Sequence, residues 1–320
     1  MRHDERVTRV AAVDCGTNSI RLLVADVDPT TGRLVDLDRR MEVVRLGEGV
    51  DRTGRIAPAA MARTLEATAR YADVIRRLGA ERVRFVATSA SRDAQNAAEF
   101  VAGVREVLGV EPEVVPGDEE AQLSFTGATA GLAAAHEAPF LVVDIGGGST
   151  ELVLGTDAVD AARSVDVGCV RMFERHLQAD PPTPDEVAAA TRDVEAALDL
   201  VAERVPLERA RTLVGLAGTV TTVTAHALRL DAYRPERIHR SVLPVAEVLA
   251  ACEDLLAMPR DKRAALPYMH PGRVDVIGAG ALVWALVVRR VADAAGITEV
   301  VTSEHDILDG IALSAARTGS

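Results

Sequence analysis

Two stretches of the sequence decide its fold: VDCGTNSIRLLV, residues 13–24, and VDIGGGSTELVL, residues 143–154. They align without gaps, 130 residues apart, and each has an apolar run ending in Asp, a small polar turn and a second apolar run. This pattern predicts a β-hairpin in each stretch. Small residues at a hairpin tip let the backbone approach a ligand closely, and successive N–H groups there can bind an anion.

A single Gly-rich hairpin would be an ordinary connection between strands. Two copies, each opening a β-rich segment, favour a duplicated domain with two phosphate loops that face each other across an interdomain cleft. The residues predicted to bind phosphate, through backbone N–H groups and the two serine hydroxyls, are Thr17, Asn18, Ser19, Gly146, Gly147, Gly148 and Ser149.

Strands alternate with helices after each hairpin, which predicts an α/β fold. After the first hairpin, a helical apolar stripe is formed by Met61, Leu65, Ala69, Ala72 and Ile75. After the second, a capping box at 183–186 with Pro184 starts a helix, whose apolar face is Val187, Ala190, Val194, Ala197 and Val201. We expect domains at 1–134 and 135–305, with the boundary near 133–138 and a last helix, 306–320, as a candidate for return to the first domain.

Composition excludes several classes of protein. The chain has 36 basic and 48 acidic side chains, a net charge of −12, which argues against general binding to nucleic acid or to a membrane surface. An anionic substrate must therefore be held by a local site. Lys262 is the only lysine and lies in a charged stretch, so P-loop NTPases, protein kinases and pyridoxal enzymes are excluded.

Cysteine usage and hydropathy point to the cytoplasm. Cys15, Cys169 and Cys252 are far apart, which favours a reducing compartment and offers no thiolate zinc site. The first ten residues carry charges of both signs and no apolar core of a signal peptide. The longest uncharged apolar run, 276–288, is shorter than the ~20 residues of a membrane helix and predicts a buried core helix.

Several charged residues allow two interpretations from the residues alone. Glu119 and Glu120 open a predicted helix, where they either interact with the helix dipole or serve catalysis. Glu151 is either a solvent-facing strand residue or a metal ligand. Arg92 lies between a strand and a helix, where its guanidinium can clamp phosphate oxygens. Cys15, inside the first loop, fits an apolar packing role better than a nucleophile.

A series of ordered motifs resembles the Ppx/GppA family of exopolyphosphatases and guanosine pentaphosphate phosphohydrolases. The motifs are DCGTNSIRLLVADV, FVATSASRDAQN, PGDEEAQLSFTGA and VVDIGGGSTELVLG, followed by GLAGTVTT, HPGRVDVIGAGALV and SEHDILDG. This resemblance implies two duplicated ribonuclease H-like (actin-like ATPase) domains with an interdomain cleft, in the superfamily of actin, Hsp70 and sugar kinases. It also implies the short, two-domain form of the family.

The resemblance carries roles to individual residues. Glu120 corresponds to the water-activating base, and Glu119 remains an acid at the start of a helix. Asp144 and Glu151 correspond to ligands of Mg²⁺, with Mn²⁺ as an alternative. Asp14, the equivalent of Asp144 in the first hairpin, would orient its loop, bind the metal or hold a metal-bound water. The GLAGTVTT motif lies where relatives in the superfamily bind nucleotide, but its Gly-Thr pair is also common at a helix start.

The function implied is metal-dependent hydrolysis of the terminal phosphate of inorganic polyphosphate, with short chains preferred. The alternatives are hydrolysis of guanosine pentaphosphate in the stringent response, and a non-catalytic sensor of guanosine pentaphosphate, guanosine tetraphosphate or polyphosphate. A sugar kinase would share the fold, but no sugar-binding segment is recognisable. The resemblance also implies a homodimer.

Two features near the C-terminus depart from the family or invite another interpretation. Where the family often has Arg-Glu-Gly before its last helix, this chain has Leu308-Asp309-Gly310, so a substrate contact by that arginine is not expected. The adjacent His305 and Asp306 resemble half of an HD metal site, but such a site needs further separated His and Asp ligands. We interpret the pair as incidental to the start of the last helix.

Overall fold

The computed structural model describes residues 7–130, 132 and 135–317. The chain forms two compact units, the first built from the residues up to Ala130 together with the segment that begins at Ile307, and the second from residues 131–306. Residues 1–6, in the segment predicted not to be a signal peptide, 133–134, within the predicted boundary, and 318–320, at the end of the predicted last helix, lie outside the described residues. No helix among the described residues is long and apolar enough to cross a membrane.

The first unit contains five strands and six helices within its described residues. The strands are β1 Thr8–Cys15, β2 Ser19–Val27, β3 Leu34–Val43, β4 Arg82–Ala87 and β5 Glu113–Val114. The helices are α1 Val50–Thr53, α2 Pro58–Leu78, α3 Ser89–Asp93, α4 Ala97–Leu108, α5 Gly117–Thr129 and, from the C-terminal segment, α13 Ile307–Arg317.

The second unit has six strands, seven α-helices and two short 3-10 helices, Leu207–Arg209 and Pro271–Arg273, in its described part. The strands are β6 Phe140–Ile145, β7 Thr150–Gly155, β8 Val159–Val165, β9 Thr212–Leu216, β10 Val242–Pro244 and β11 Glu299–Thr302. The helices are α6 Cys169–His176, α7 Pro184–Ala202, α8 Ala217–Ala227, α9 Pro235–Ile238, α10 Val245–Ala257, α11 Arg260–Ala264 and α12 Ile277–Ala295.

The two sheets share one topology. In the first unit the order is β3-β2-β1-β4-β5, with β1, β2 and β3 antiparallel and β4 and β5 parallel to β1. In the second unit β8-β7-β6-β9-β11 repeats that order and direction, and β10 extends the far edge. The predicted α/β fold of two duplicated ribonuclease H-like units is confirmed.

The helix α13 packs on the first unit, against α5 and β1. Its side chains Ile307, Leu308 and Ile311 lie in one apolar cluster with Leu23 of β2. The carboxylate of Asp309 accepts hydrogen bonds from the Arg39 guanidinium of β3, at 2.7 and 3.3 Å. Burial opposes the charge of Arg39, but the carboxylates of Asp309 and Asp36 together outweigh that effect and raise the pKa of the guanidinium. Leu308 and Asp309 therefore have structural contacts within the unit.

Helix prediction from apolar periodicity succeeded, with one error in the buried face of α2. The capping box at Thr183 and the apolar face of α7 are confirmed, and α12 is buried over 277–288 as expected. In α2, however, Ala69 is exposed, while Thr64 and Thr68 are buried. Each threonine hydroxyl donates to the carbonyl four residues earlier at 2.8 Å, so burial leaves no unpaired hydroxyl.

Gly310 should be essential to the packing of α13. A Cβ atom at this position would lie 2.0 Å from the backbone oxygen of Leu123 in α5, and neither backbone can yield without moving a helix. We expect Gly310→Ala to lower the free energy of unfolding by about 1–3 kcal/mol. Thermal unfolding would show this as a midpoint lower by several degrees, whereas an unchanged midpoint would mean that α13 and α5 do not approach this closely.

Candidate functional site

The first loop joins β1 to β2 and is held by backbone hydrogen bonds, one within the loop and others from residues 44–47. The N–H group of Gly16 donates to the carbonyl of Ser19 at 2.9 Å. The carbonyls of Thr17 and Asn18 accept hydrogen bonds from backbone N–H groups of residues 44–47, at 2.9–3.1 Å. In a trans peptide the carbonyl and the following N–H point in opposite directions. The N–H groups of Asn18 and Ser19 therefore point away from residues 44–47.

The second loop joins β6 to β7 and repeats this arrangement. The N–H of Gly146 donates to the carbonyl of Ser149 at 3.0 Å. The carbonyls of Gly146 and Gly147 accept from backbone N–H groups in the first turn of α6, and that of Gly148 accepts from Arg171 Nε at 2.7 Å. The next three N–H groups, of Gly147, Gly148 and Ser149, consequently point away from α6. Such a row of N–H groups is suited to an anion.

Side chains near the first loop link it to the start of α3. The hydroxyl of Thr17 lies 2.8 Å from that of Ser89, and both are buried. Asn18 Oδ1 at the loop tip is buried and has no hydrogen-bond partner within the described chain, and a 180° turn of the amide would place its NH₂ donors there. Cys15 is buried, and burial raises the pKa of its thiol well above the usual value, which suits a packing role.

The Asp that ends the first strand of each unit has a different cross-strand neighbour. Asp14 lies opposite Arg21, whose Nη2 and Nε donate to Asp14 Oδ2 at 2.7 and 2.9 Å. The carboxylate of Asp14 is nearly inaccessible, at 4% exposure. Its charge is thus compensated by a partly buried guanidinium, a contact that the sequence alone did not reveal.

Asp144, the equivalent residue of the second unit, lies opposite Glu151. Directly opposed residues of an antiparallel pair project from the same face of the sheet, so two carboxylates share this face. Glu151 is only 1% exposed, and its Oε1 accepts a hydrogen bond from Ser164 at 2.6 Å, so the solvent-facing interpretation of Glu151 is wrong. Asp144 is 7% exposed. A pair of carboxylate ligands at one place fits Mg²⁺, which completes its shell with water and phosphate oxygens.

Glu120, the candidate base, lies in the first turn of α5 and is 8% exposed. Its Oε2 accepts a hydrogen bond from Arg92 Nη1 at 3.2 Å, and the same nitrogen donates to the carbonyl of Val115 at 3.1 Å. The structure thus brings together the candidate base and the arginine predicted to clamp phosphate oxygens. The carboxylate of Glu120 is thus not isolated, because it forms an ion pair with the guanidinium of Arg92.

The neighbouring Glu119 has a separate role. Its Oε1 accepts from Arg84 Nη2 at 2.7 Å, and Arg84 also binds Glu113 of β5 and the hydroxyl of Ser314 in α13. Arg84 therefore ties the start of α5 to two other elements of the same unit. Glu119 is an anchor of the helix, as distinct from the buried carboxylate beside it.

The GLAGTVTT motif, residues 215–222, lies against an arginine that sequence reasoning missed. A Cβ at Gly218, in the first turn of α8, would lie 2.3 Å from Arg273 Nη2, so the guanidinium lies directly against this glycine. Arg273 Nη1 also donates to the hydroxyl of Thr222 at 3.3 Å. Ala217 has a φ of 63°, a left-handed conformation that is strained for alanine. The only signal for Arg273 in the sequence was its place within HPGRVDVIGAGALV.

A model described as the Ppx/GppA phosphatase family matches residues 23–315. The chain belongs to this family. Exopolyphosphatase 2 of Mycobacterium tuberculosis is 54% identical over 317 residues, which cover 97% of this chain and 99% of that protein.

Solved structures of similar proteins cover nearly the whole chain. The crystal structure of an exopolyphosphatase-like protein has a TM-score of 0.93 at 44% identity, covering 97% of this chain and 99% of that one. The Aquifex aeolicus member of the Ppx/GppA family has a TM-score of 0.80 at 28% identity, covering 98% of this chain and 100% of that one. The ordered motifs thus identified the family correctly.

Gly168 should be essential to the geometry of the second loop. A Cβ there would lie 2.5 Å from the oxygen of Gly147 and 2.7 Å from the nitrogen of Gly148, both backbone atoms. We expect Gly168→Ala to displace the loop and weaken the binding of inorganic tripolyphosphate roughly tenfold, the equivalent of about one charge-assisted hydrogen bond. Calorimetric titration measures this, with thermal unfolding as the control for folding. Unchanged affinity would show that the loop does not bind phosphate in this conformation.

Proposed function

We propose that this chain is an exopolyphosphatase, which hydrolyses the terminal phosphoric anhydride of inorganic polyphosphate and releases orthophosphate. The observation that carries the proposal is the pair of duplicated loops whose outward N–H groups suit a substrate made only of phosphates. The relative named Exopolyphosphatase 2, matched over 97% of this chain, supports the same reaction.

The reaction is an in-line displacement at phosphorus, in which water attacks the terminal phosphate and the bridging oxygen leaves with the shortened chain. Glu120 accepts the proton of the attacking water, since its carboxylate is buried and is oriented by the hydrogen bond from Arg92. The backbone N–H groups of the loops bind non-bridging oxygens. Hydrogen bonds already oriented toward the anion cost no rearrangement as charge develops.

Asp144 and Glu151 are the residues that would hold a divalent cation, Mg²⁺ or Mn²⁺. When bound, the cation would neutralise charge on the phosphate groups. Ser164 orients Glu151 through its 2.6 Å hydrogen bond. Asp14 is compensated by Arg21, so we assign it to the orientation of the first loop and not to the metal.

Short chains are the proposed substrates within this class. A protein with a net charge of −12 repels each further phosphate that lies outside its local sites. Guanosine pentaphosphate is the second candidate, because its terminal phosphate presents the same anhydride to the same groups. A pure sensor is less well supported, since binding alone does not require the buried carboxylate of Glu120.

The test of the base is Glu120→Gln, with Glu119→Gln as the matched control on the adjacent residue. We expect kcat to fall at least 100-fold in Glu120→Gln, the usual contribution of a general base, while Glu119→Gln stays within about threefold of the natural protein. Phosphate release is measured with Mg²⁺ on short polyphosphate, long polyphosphate, guanosine pentaphosphate and ATP in parallel. If phosphate were released quickly from guanosine pentaphosphate alone, the assignment of Glu120 as the base would stand, but polyphosphate would be the wrong substrate.

Binding of the cation should depend on the carboxylates beside the second loop more than on Asp14 beside the first. We expect Asp144→Asn and Glu151→Gln each to raise the Mg²⁺ concentration for half-maximal phosphate release about tenfold or more, because each removes one of two carboxylate ligands. Asp14→Asn should leave that concentration within about twofold. Binding of Mn²⁺ followed by electron paramagnetic resonance gives a readout independent of activity. Equal effects of all three substitutions would contradict the assignment.

A further inference from the structure

The second loop is anchored by a side chain as well as by backbone groups. In both loops a neighbouring segment holds carbonyls through backbone N–H groups. In the second loop one carbonyl, that of Gly148, is instead held by a side chain, with Arg171 Nε as donor at 2.7 Å. The backbone N–H of the same arginine donates to the carbonyl of Gly147 at 3.1 Å. Arg171 thus contacts two successive peptides of the loop.

The composition of the loop explains why such an anchor matters here. The tip consists of Gly146, Gly147 and Gly148, and glycine has the largest conformational freedom of any residue. If the peptide between Gly148 and Ser149 turned over, a carbonyl oxygen would replace an N–H group on the side that faces an anion. That exchange would convert an attraction for phosphate into a repulsion. The first loop has Thr17 and Asn18 in the corresponding places, whose side chains restrict the backbone.

A guanidinium is suited to this task because its Nε–H lies in a rigid plane with a fixed direction. A lysine ammonium is a compact charge on a flexible stem and has no donor at the Nε position. Arg171 leaves the helix in its first turn, where α6 has already donated backbone N–H groups to Gly146 and Gly147. Its side chain adds one more donor to this set, which holds the next carbonyl of the loop, that of Gly148.

We propose that Arg171 is a positioning residue, which fixes the peptide between Gly148 and Ser149 so that the Ser149 N–H is available to a phosphate oxygen. The proposal rests on the proposed function, because it assigns the second loop to the substrate. Arg171 acts on the carbonyl side of the loop, opposite the N–H groups. Its effect on the substrate is therefore transmitted through the orientation of the peptide.

Three variants of the full chain test this role. Arg171→Met removes the donor and the charge, Arg171→Lys keeps the charge and removes the fixed Nε–H, and Arg175→Met is the matched control. Arg175 lies one turn later on α6, and it pairs with Asp193 at 3.3 Å, so its loss changes the net charge equally. The measurements are kcat and KM with short polyphosphate, and calorimetric titration with inorganic tripolyphosphate.

We expect Arg171→Met and Arg171→Lys both to weaken tripolyphosphate binding and to raise KM about tenfold, with Arg175→Met within about twofold of the natural protein. An Arg171→Lys variant that binds as well as the natural protein would overturn the proposal, since charge alone would then suffice. Equal behaviour of Arg171→Met and Arg175→Met would also overturn it.

The amide resonance of Ser149 reports on this peptide directly, and a general effect of Arg171 on folding would not change its response to tripolyphosphate selectively. In the natural protein, tripolyphosphate should shift the Ser149 amide signal, and in Arg171→Lys that shift should be lost while the shift at Ser19 persists. Loss of both shifts would mean general disorder and would contradict a local role. If Arg171→Met does not fold, Arg171→Lys and Arg171→Gln decide by the same signals.

The experiments separate a wrong proposed function from a wrong role for Arg171. If the natural protein binds tripolyphosphate but releases no phosphate from any polyphosphate, the proposed hydrolysis is wrong while the role of Arg171 in binding is still decided by the titrations. If hydrolysis is present and the Arg171 variants behave as Arg175→Met does, only the positioning role is wrong.

Discussion

One backbone hydrogen bond, made twice, is the constraint on which the candidate site depends. The N–H of Gly16 donates to Ser19, and the N–H of Gly146 donates to Ser149, at nearly equal distances. This bond closes each hairpin tip into a short turn, and the segments that follow then fix the carbonyls of the turn. Since a trans peptide opposes its carbonyl and its N–H, fixing one side of the turn determines the donors on the other side.

The two units differ in the residue that lies opposite the aspartate at the end of their first strand. Arg21 compensates Asp14 in the first unit, whereas Glu151 joins Asp144 in the second. Two carboxylates on one face of a sheet repel each other unless a cation or a proton intervenes. One difference in an otherwise equivalent position therefore gives the units different electrostatic roles, a closed ion pair in the first and, under the proposed function, a place for a cation in the second.

Much of the fold was predictable because local rules specify it. Strand ends, Gly-rich turns and the capping box at Thr183 each depend on a few adjacent residues, and these predictions agree with the structure. The Arg92–Glu120 ion pair was not predictable, since the two residues are far apart in the sequence and meet only in the folded unit, where Arg92 of α3 donates to Glu120 of α5. Burial of Glu151 was left open by the residues alone because alternation along a strand allows one solvated face, whereas β7 is buried over its whole length.

The charge of the chain gives the backbone donors their importance. A net charge of −12 opposes a polyanion at long range, and several arginines near the site are already paired with carboxylates, among them Arg21 and Arg92. Backbone N–H groups carry no net charge, so they can bind phosphate oxygens at contact without attracting polyanions in general. Selectivity for a phosphate would then depend on the geometry of the turn that binds it. A divalent cation held by Asp144 and Glu151 would offset the repulsion of a phosphate bound at the second turn.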